Sequence, residues 1–197
     1  MKNIFSLIAA AALCGLAQTT FAQVDASLVT KFVDQAKSAS DNQLGTIATE
    51  LTGKLQALST AAGANDAVKS KLNSTLTALI GGKDSDALTS AFQLAESAKL
   101  TPEQIGLAKQ AGNLASAYVV QKNFAALPGA QSDVATIVSS LRKGQITSAV
   151  PALQSVAKNA SLTDPQKQLI KTIGEKYAPG FKKASDTLNG LKKLPGF

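Results

Sequence analysis

The sequence predicts an all-α protein, either a helical bundle or a short array of antiparallel helical hairpins, and three observations carry that expectation. Apolar residues recur at three- and four-residue spacing nearly everywhere, and no comparable two-residue alternation marks a strand. Start and stop residues fall at regular intervals between those stripes. The chain also repeats itself: Leu72–Gly112 laid over Val134–Gly174, 62 residues on, gives 11 identities in 41 positions without a gap. Chance in a chain this rich in Ala, Leu, Ser and Lys gives about a third of that, so the pattern reads as a duplicated supersecondary unit. The identities are densest where Leu100, Thr101, Gln104, Leu107, Lys109 and Gly112 meet Leu162, Thr163, Gln166, Leu169, Lys171 and Gly174.

Residues 1–22 read as a signal peptide that is removed. Lys2 supplies a positive start, Ile4 to Ala17 is an apolar run of 14 residues, and Thr20 and Ala22 put small residues at the −3 and −1 positions of a cleavage site. The run is short for a membrane span, and Leu13 ahead of Cys14 is larger than lipid attachment to that Cys normally tolerates. The mature chain is expected to begin near Gln23, outside the cytoplasm in a bacterial periplasm or beyond. Its only Cys leaves with the leader, so packing rather than disulfides must stabilise it. A chain of this size buries about 70% of its unfolded surface, enough for one domain over residues 23–197.

Helices are expected at about 26–39, 41–59, 66–80, 85–99, 102–125, 131–143, 145–160, 164–177 and 180–193. Val68, Leu72, Leu76 and Leu79 form one stripe, and Leu88, Phe92 and Ala95 the next. Val134, Val138 and Leu141, then Ile146, Val150, Leu153 and Val156, follow in the second copy. Ser40, Thr101 and Thr163 precede Asp-Asn-Gln, Pro-Glu-Gln and Asp-Pro-Gln, which predicts an N-cap hydroxyl answered by a capping-box Gln. Gly81-Gly82 and Gly144 supply helix ends, and Pro151 is expected to interrupt or kink the seventh helix. The repeat copies then cover about 65–127 and 128–190, with residues 26–60 a partial third copy in which Leu28 and Phe32 stand 60 residues before Leu88 and Phe92.

Charge is uneven. Of the net +7, most lies after Gln154, where Lys158, Lys167, Lys171, Lys176, Lys182, Lys183, Lys192 and Lys193 face only Asp164, Glu175 and Asp186. Lys182, Lys183, Lys192 and Lys193 are the candidate contacts for an anionic envelope polymer or lipid surface. The plainer reading is a solvated helix face, and nucleic acid is an unsuitable partner because no aromatics interleave with the Lys and the protein is exported.

Catalytic chemistry has little to work with. There is no His in the chain, and Asp41, Glu103 and Asp164 in first turns, with Asp66, Asp84 and Asp133 at helix starts, stand where surface capping places acids. Asp84-x-Asp86 lacks the Gly and distal Glu of a calcium loop, and Gly81-Gly82-Lys83 lacks the spacing of a nucleotide loop. No catalytic, metal or cofactor residue is assigned, and a Ser-Lys hydrolase is the weakest of the readings considered. Phe32 and Phe92 are expected in the core, while Tyr118, Tyr177 and Phe181 are expected to pack rather than line a groove. The chain therefore reads as an exported, non-enzymatic helical-repeat protein with a binding or structural role toward a protein or envelope partner, with self-association open to it. The alternative is a carrier holding an apolar or amphiphilic ligand between its helices.

Overall fold

The computed structural model describes residues 24–178 other than 63, 64 and 98, and among them eight helices follow one another without a strand. They are α1 (Ala26–Ser38), α2 (Asn42–Ala62), α3 (Asp66–Ile80), α4 (Asp84–Leu94), α5 (Pro102–Phe124), α6 (Gln131–Arg142), α7 (Ile146–Ala157) and α8 (Asp164–Tyr177). The expected leader at 1–22 and the expected helix at 180–193 lie outside the described residues.

Helix starts follow from side chains that satisfy free N–H groups. Thr101 accepts from the Gln104 N–H at 3.3 Å while Gln104 Oε1 accepts from the Thr101 N–H at 2.8 Å. Thr163 and Gln166 repeat this capping box at 3.4 and 3.0 Å. The expected cap at Ser40 is corrected: Asp41 accepts from the Gln43 N–H at 2.8 Å, so the acceptor lies one residue later, where a short carboxylate reaches the first turn of α2. At α1 the cap is Asp25, and hydrogen bonds from the Ser27 hydroxyl and N–H hold its carboxyl below the usual carboxylate range.

Helix ends are equally local. Gly82 and Gly144, 62 positions apart, both take φ +70. After α3 the Lys83 N–H reaches Ala78 O at 2.8 Å and Gly82 N–H reaches Leu79 O; after α6 the Gln145 N–H reaches Ser140 O at 2.8 Å and Gly144 N–H reaches Leu141 O. This is the glycine-terminated cap that closes a helix on its last carbonyls. α4 and α7 stop earlier than expected. The Ser97 hydroxyl donates to Gln93 O at 3.2 Å, and Asn159 accepts from the Ser161 N–H while donating to Pro128 O, so side chains take over the roles of the next helical turn. Pro151 sits within α7 and does not interrupt it.

The bundle is organised on α5. Leu114 through Gln121 are eight consecutive buried residues, so this helix presents no solvent face over two turns. Small residues permit the close packing this requires: a Cβ on Gly112 would stand 3.4 Å from Phe92 Cδ1. α2 runs antiparallel along α5, tied at one end by Gln104 Nε2 donating to Ala61 O at 2.6 Å and at the other by Gln121 Nε2 donating to Asp41. Gln166 Nε2 donates to Asn123 O at 2.7 Å, the same tie 62 residues later. α1 joins through Phe32, fully buried with its ring 4.9 Å from that of Tyr118; Phe92 on α4 meets Tyr177 on α8 edge-on at 5.9 Å. Tyr118 and Tyr177 thus pack, as expected; Phe181 lies outside the described residues.

Phe32, Ile47, Leu51, Leu55, Leu72, Leu76, Leu88, Phe124, Ile137 and Leu153 belong to one contiguous core cluster. α3 pairs with α4 as α6 pairs with α7, and α4 with α5 as α7 with α8. The surroundings of those pairs differ: α2 lies along α5, whereas α5 and α8 touch at few points, and α5 packs broadly on α6 where α2 meets α3 only slightly.

Candidate functional site

Lys182, Lys183, Lys192 and Lys193 all lie outside the described residues. Of the basic quarter that is described, Lys167 pairs with Asp164 at 2.9 Å and Lys176 with Glu96 at 3.0 Å, and Lys176 also stands 5.2 Å from the centre of the Phe92 ring. Much of the positive charge on α8 is therefore answered locally.

A surface cleft of about 370 Å³ opens where α2, α5 and α6 meet, lined by Glu50 and Lys54, Leu114, and Ser139, Arg142 and Lys143. α2 and α6 each pack on α5, which brings Glu50 and Arg142, 92 residues apart in sequence, face to face. Arg142 Nε donates to Glu50 Oε2 at 3.0 Å and its Nη2 to Glu50 Oε1, a two-pronged pair. Those hydrogen bonds hold the guanidinium pKa above its already high value. Each partner is about a third exposed, so the pair is worth about 0–1 kcal/mol and serves to fix geometry. With Arg142 occupied, Lys54 and Lys143 are the rim cations that have no ion-pair partner among the described residues. Nothing local in the sequence marked this cleft, because its parts come from three helices.

Beside it, the Tyr177 hydroxyl donates to Asn113 Oδ1 at 2.9 Å and lies 3.1 Å from Ser116 Oγ, which donates to Gly112 O. Burial pushes the Tyr177 hydroxyl well above the ordinary tyrosine range. It therefore stays protonated and serves as a structural donor. Burial likewise raises Tyr118, with a smaller contribution from the charge of Asp84.

Asp84 corrects the reading of that acid as a surface cap. Its carboxylate is buried at the start of α4, with Lys122 Nζ at 3.0 and 3.1 Å and Asn123 Nδ2 at 2.9 Å, so α4 is pinned to the last turn of α5. The 62-residue alignment held a signal for this: Asp84 falls opposite Ile146, an apolar stripe position. Among the described residues no group of three or more His, Cys, Asp or Glu is placed to hold a metal ion, and no helix is long and apolar enough to cross a membrane.

No known protein family, curated protein or solved structure matches the chain.

Proposed function

We propose that this chain is an exported, non-enzymatic helical protein, built from a duplicated three-helix unit, that works by binding a macromolecular partner through its exterior. The observation that carries the reading is the fate of the apolar stripes. Phe32, Leu72, Leu76, Leu88 and Leu153, the side chains a carrier would turn toward a ligand, are fully buried against one another in one cluster. What the helices offer outward is a charged, mixed surface with the α2–α5–α6 cleft and its two open Lys. The matched capping boxes, the Gly82 and Gly144 caps and the two Gln ties support the duplication; the apolar run at 4–17 and Thr20-x-Ala22 support export.

Native mass spectrometry of protein purified from its source tests the reading. The expected result is a mature mass beginning near Gln23, alone or with a protein or polymer partner. A retained apolar molecule of a few hundred daltons would overturn it in favour of a carrier. Replacing Lys182, Lys183, Lys192 and Lys193 by Gln should leave the fold and partner binding nearly unchanged; loss of binding with intact helical circular dichroism would assign the role to these Lys residues.

A further inference from the structure

The α2–α5–α6 cleft holds more positive charge than its own ion pair uses. Lys54, Arg142 and Lys143 line it with Glu50 as the only acid, and both oxygens of that carboxylate accept from Arg142. Two ammonium groups are left over. Glu50 stands four residues ahead of Lys54 on α2, the spacing and order at which a helix ordinarily pairs the two, yet it turns across the cleft to α6. Lys54 is therefore half-buried with no ion-pair partner among the described residues, although burial disfavours an unanswered charge.

Finishing the helix does not account for the cations on α6. Arg142 and Lys143 stand at its negative end, where basic side chains are favourable. But α3 closes on the same glycine cap with Thr77, Ile80 and Gly81 at the positions 62 before Ser139, Arg142 and Lys143, and it has no basic residue in its last turn. The cap closes without them.

The groups left over define what would complete the cleft. Lys54 and Lys143 are donors only, and the Ser139 hydroxyl, which can donate, has no hydrogen-bond partner among the described residues. The one carboxylate is already taken, so a ligand must bring negatively charged acceptors. At about 370 Å³ the cleft is at the small end of binding sites, which run to about 1,000 Å³, and it takes a few side chains rather than a length of polymer. Leu114 makes part of the lining apolar, and Glu50 keeps a negative charge at the rim against which a densely charged polyanion would press. Both features favour carboxylates spaced by apolar side chains.

We propose that the α2–α5–α6 cleft docks an acidic segment of a protein partner, with Asp or Glu carboxylates on Lys54 and Lys143 and an apolar neighbour against Leu114. This rests on the reading that the chain binds a macromolecule through its exterior, and it gives that binding a place and a chemistry. Arg142 holds Glu50 and keeps the two walls in register, while the Lys pair meets the ligand.

The test is a nuclear magnetic resonance titration of the isotope-labelled protein with the peptide acetyl-Glu-Leu-Glu-Leu-amide, and separately with inorganic phosphate. Saturable amide shifts are expected at Glu50, Lys54, Ser139 and Lys143. Binding should weaken about tenfold in the Lys54→Gln, Lys143→Gln double variant and hold in Lys31→Gln, Lys158→Gln, which removes the same charge from exposed positions outside the cleft. Circular dichroism checks that both variants stay helical. Peptide shifts that are absent, that lie elsewhere, or that weaken equally in both variants would overturn the proposal. Phosphate matching the peptide at equal concentration would also overturn it, in favour of a site for a bare oxyanion. Native mass spectrometry keeps this apart from the broader reading: a partner retained equally by wild type and the cleft variant would sink the cleft alone, whereas a retained apolar small molecule would sink the reading on which it rests.

Discussion

Gln166 does two jobs with the two ends of one amide, and a single substitution separates them. Its Oε1 accepts from the Thr163 N–H at 3.0 Å as half of a capping box, and its Nε2 donates to Asn123 O at 2.7 Å, in the last turn of α5. Gln166→Glu keeps the acceptor, and a carboxylate in the first turn of α8 suits the positive end of that helix. It replaces the donor by a second acceptor, pointed at a carbonyl on the negative end of α5. The lost hydrogen bond costs about 0.5–1.5 kcal/mol and the opposed helix end about 0.3–1 kcal/mol, against a few tenths regained at the α8 start. The net expectation is destabilisation of about 1 kcal/mol, or a Tm lower by about 2–4 °C for a chain of this size. Urea unfolding followed by circular dichroism at 222 nm measures it. The sign with pH is also fixed. Charge at this position is disfavoured in the folded state, so the Glu pKa is raised on folding, and the deficit relative to wild type shrinks as acid restores an O–H donor. A Gln166→Glu protein as stable as wild type near neutral pH would show that Gln166 is only a cap and that the tie to α5 contributes nothing. Gln104→Glu, facing Ala61 O, should behave the same way.

Two further predictions concern the core and the turns. Phe32→Ala should cost about 3–5 kcal/mol because the ring is fully buried against Tyr118, whereas Gln154→Ala, at the exposed position of α7 that aligns with Phe92, should stay within about 0.5 kcal/mol; denaturant melts giving Phe32→Ala less than about 1 kcal/mol would contradict the packing. Gly144→Ala and Gly82→Ala should each cost about 1 kcal/mol from the positive φ alone, since a Cβ at either site meets nothing nearer than 4.0 Å, and calorimetry finding either change neutral would exclude that account.

Helices and their ends were legible because their causes are local. Thr101 and Thr163 with their Gln partners, the glycines at 82 and 144, and the 3.6-residue stripes each act within a few residues of themselves, so sequence spacing is enough to place them. What the spacing did not show is what each side chain does once the helices meet. The same Gln residues read as caps also bind the helix three places earlier, and Asp84, read as a surface acid, is drawn inward because Lys122 and Asn123 arrive from α5 to receive it. The α2–α5–α6 cleft was illegible for the same reason: Glu50 and Arg142 gain their relation only through a helix that contributes Leu114 between them. Ser40 and Asp41 show the finer limit, since either side chain could cap α2 and only geometry chose.

The burial of α5 on every side over Leu114–Gln121 has a consequence for how the molecule comes apart. In an open solenoid each unit touches only its neighbours, so one end can melt while the other persists. Here α5 closes the group formed by α1 to α4 and also seats α6 and α8, so neither half retains a complete set of walls without the other. Unfolding should therefore be a single event, in which calorimetric and van't Hoff enthalpies agree. By the same logic, a protease that nicks the Leu127-Pro128-Gly129 turn would leave two pieces that stay together and keep their helices, yet could not be separated and refolded apart.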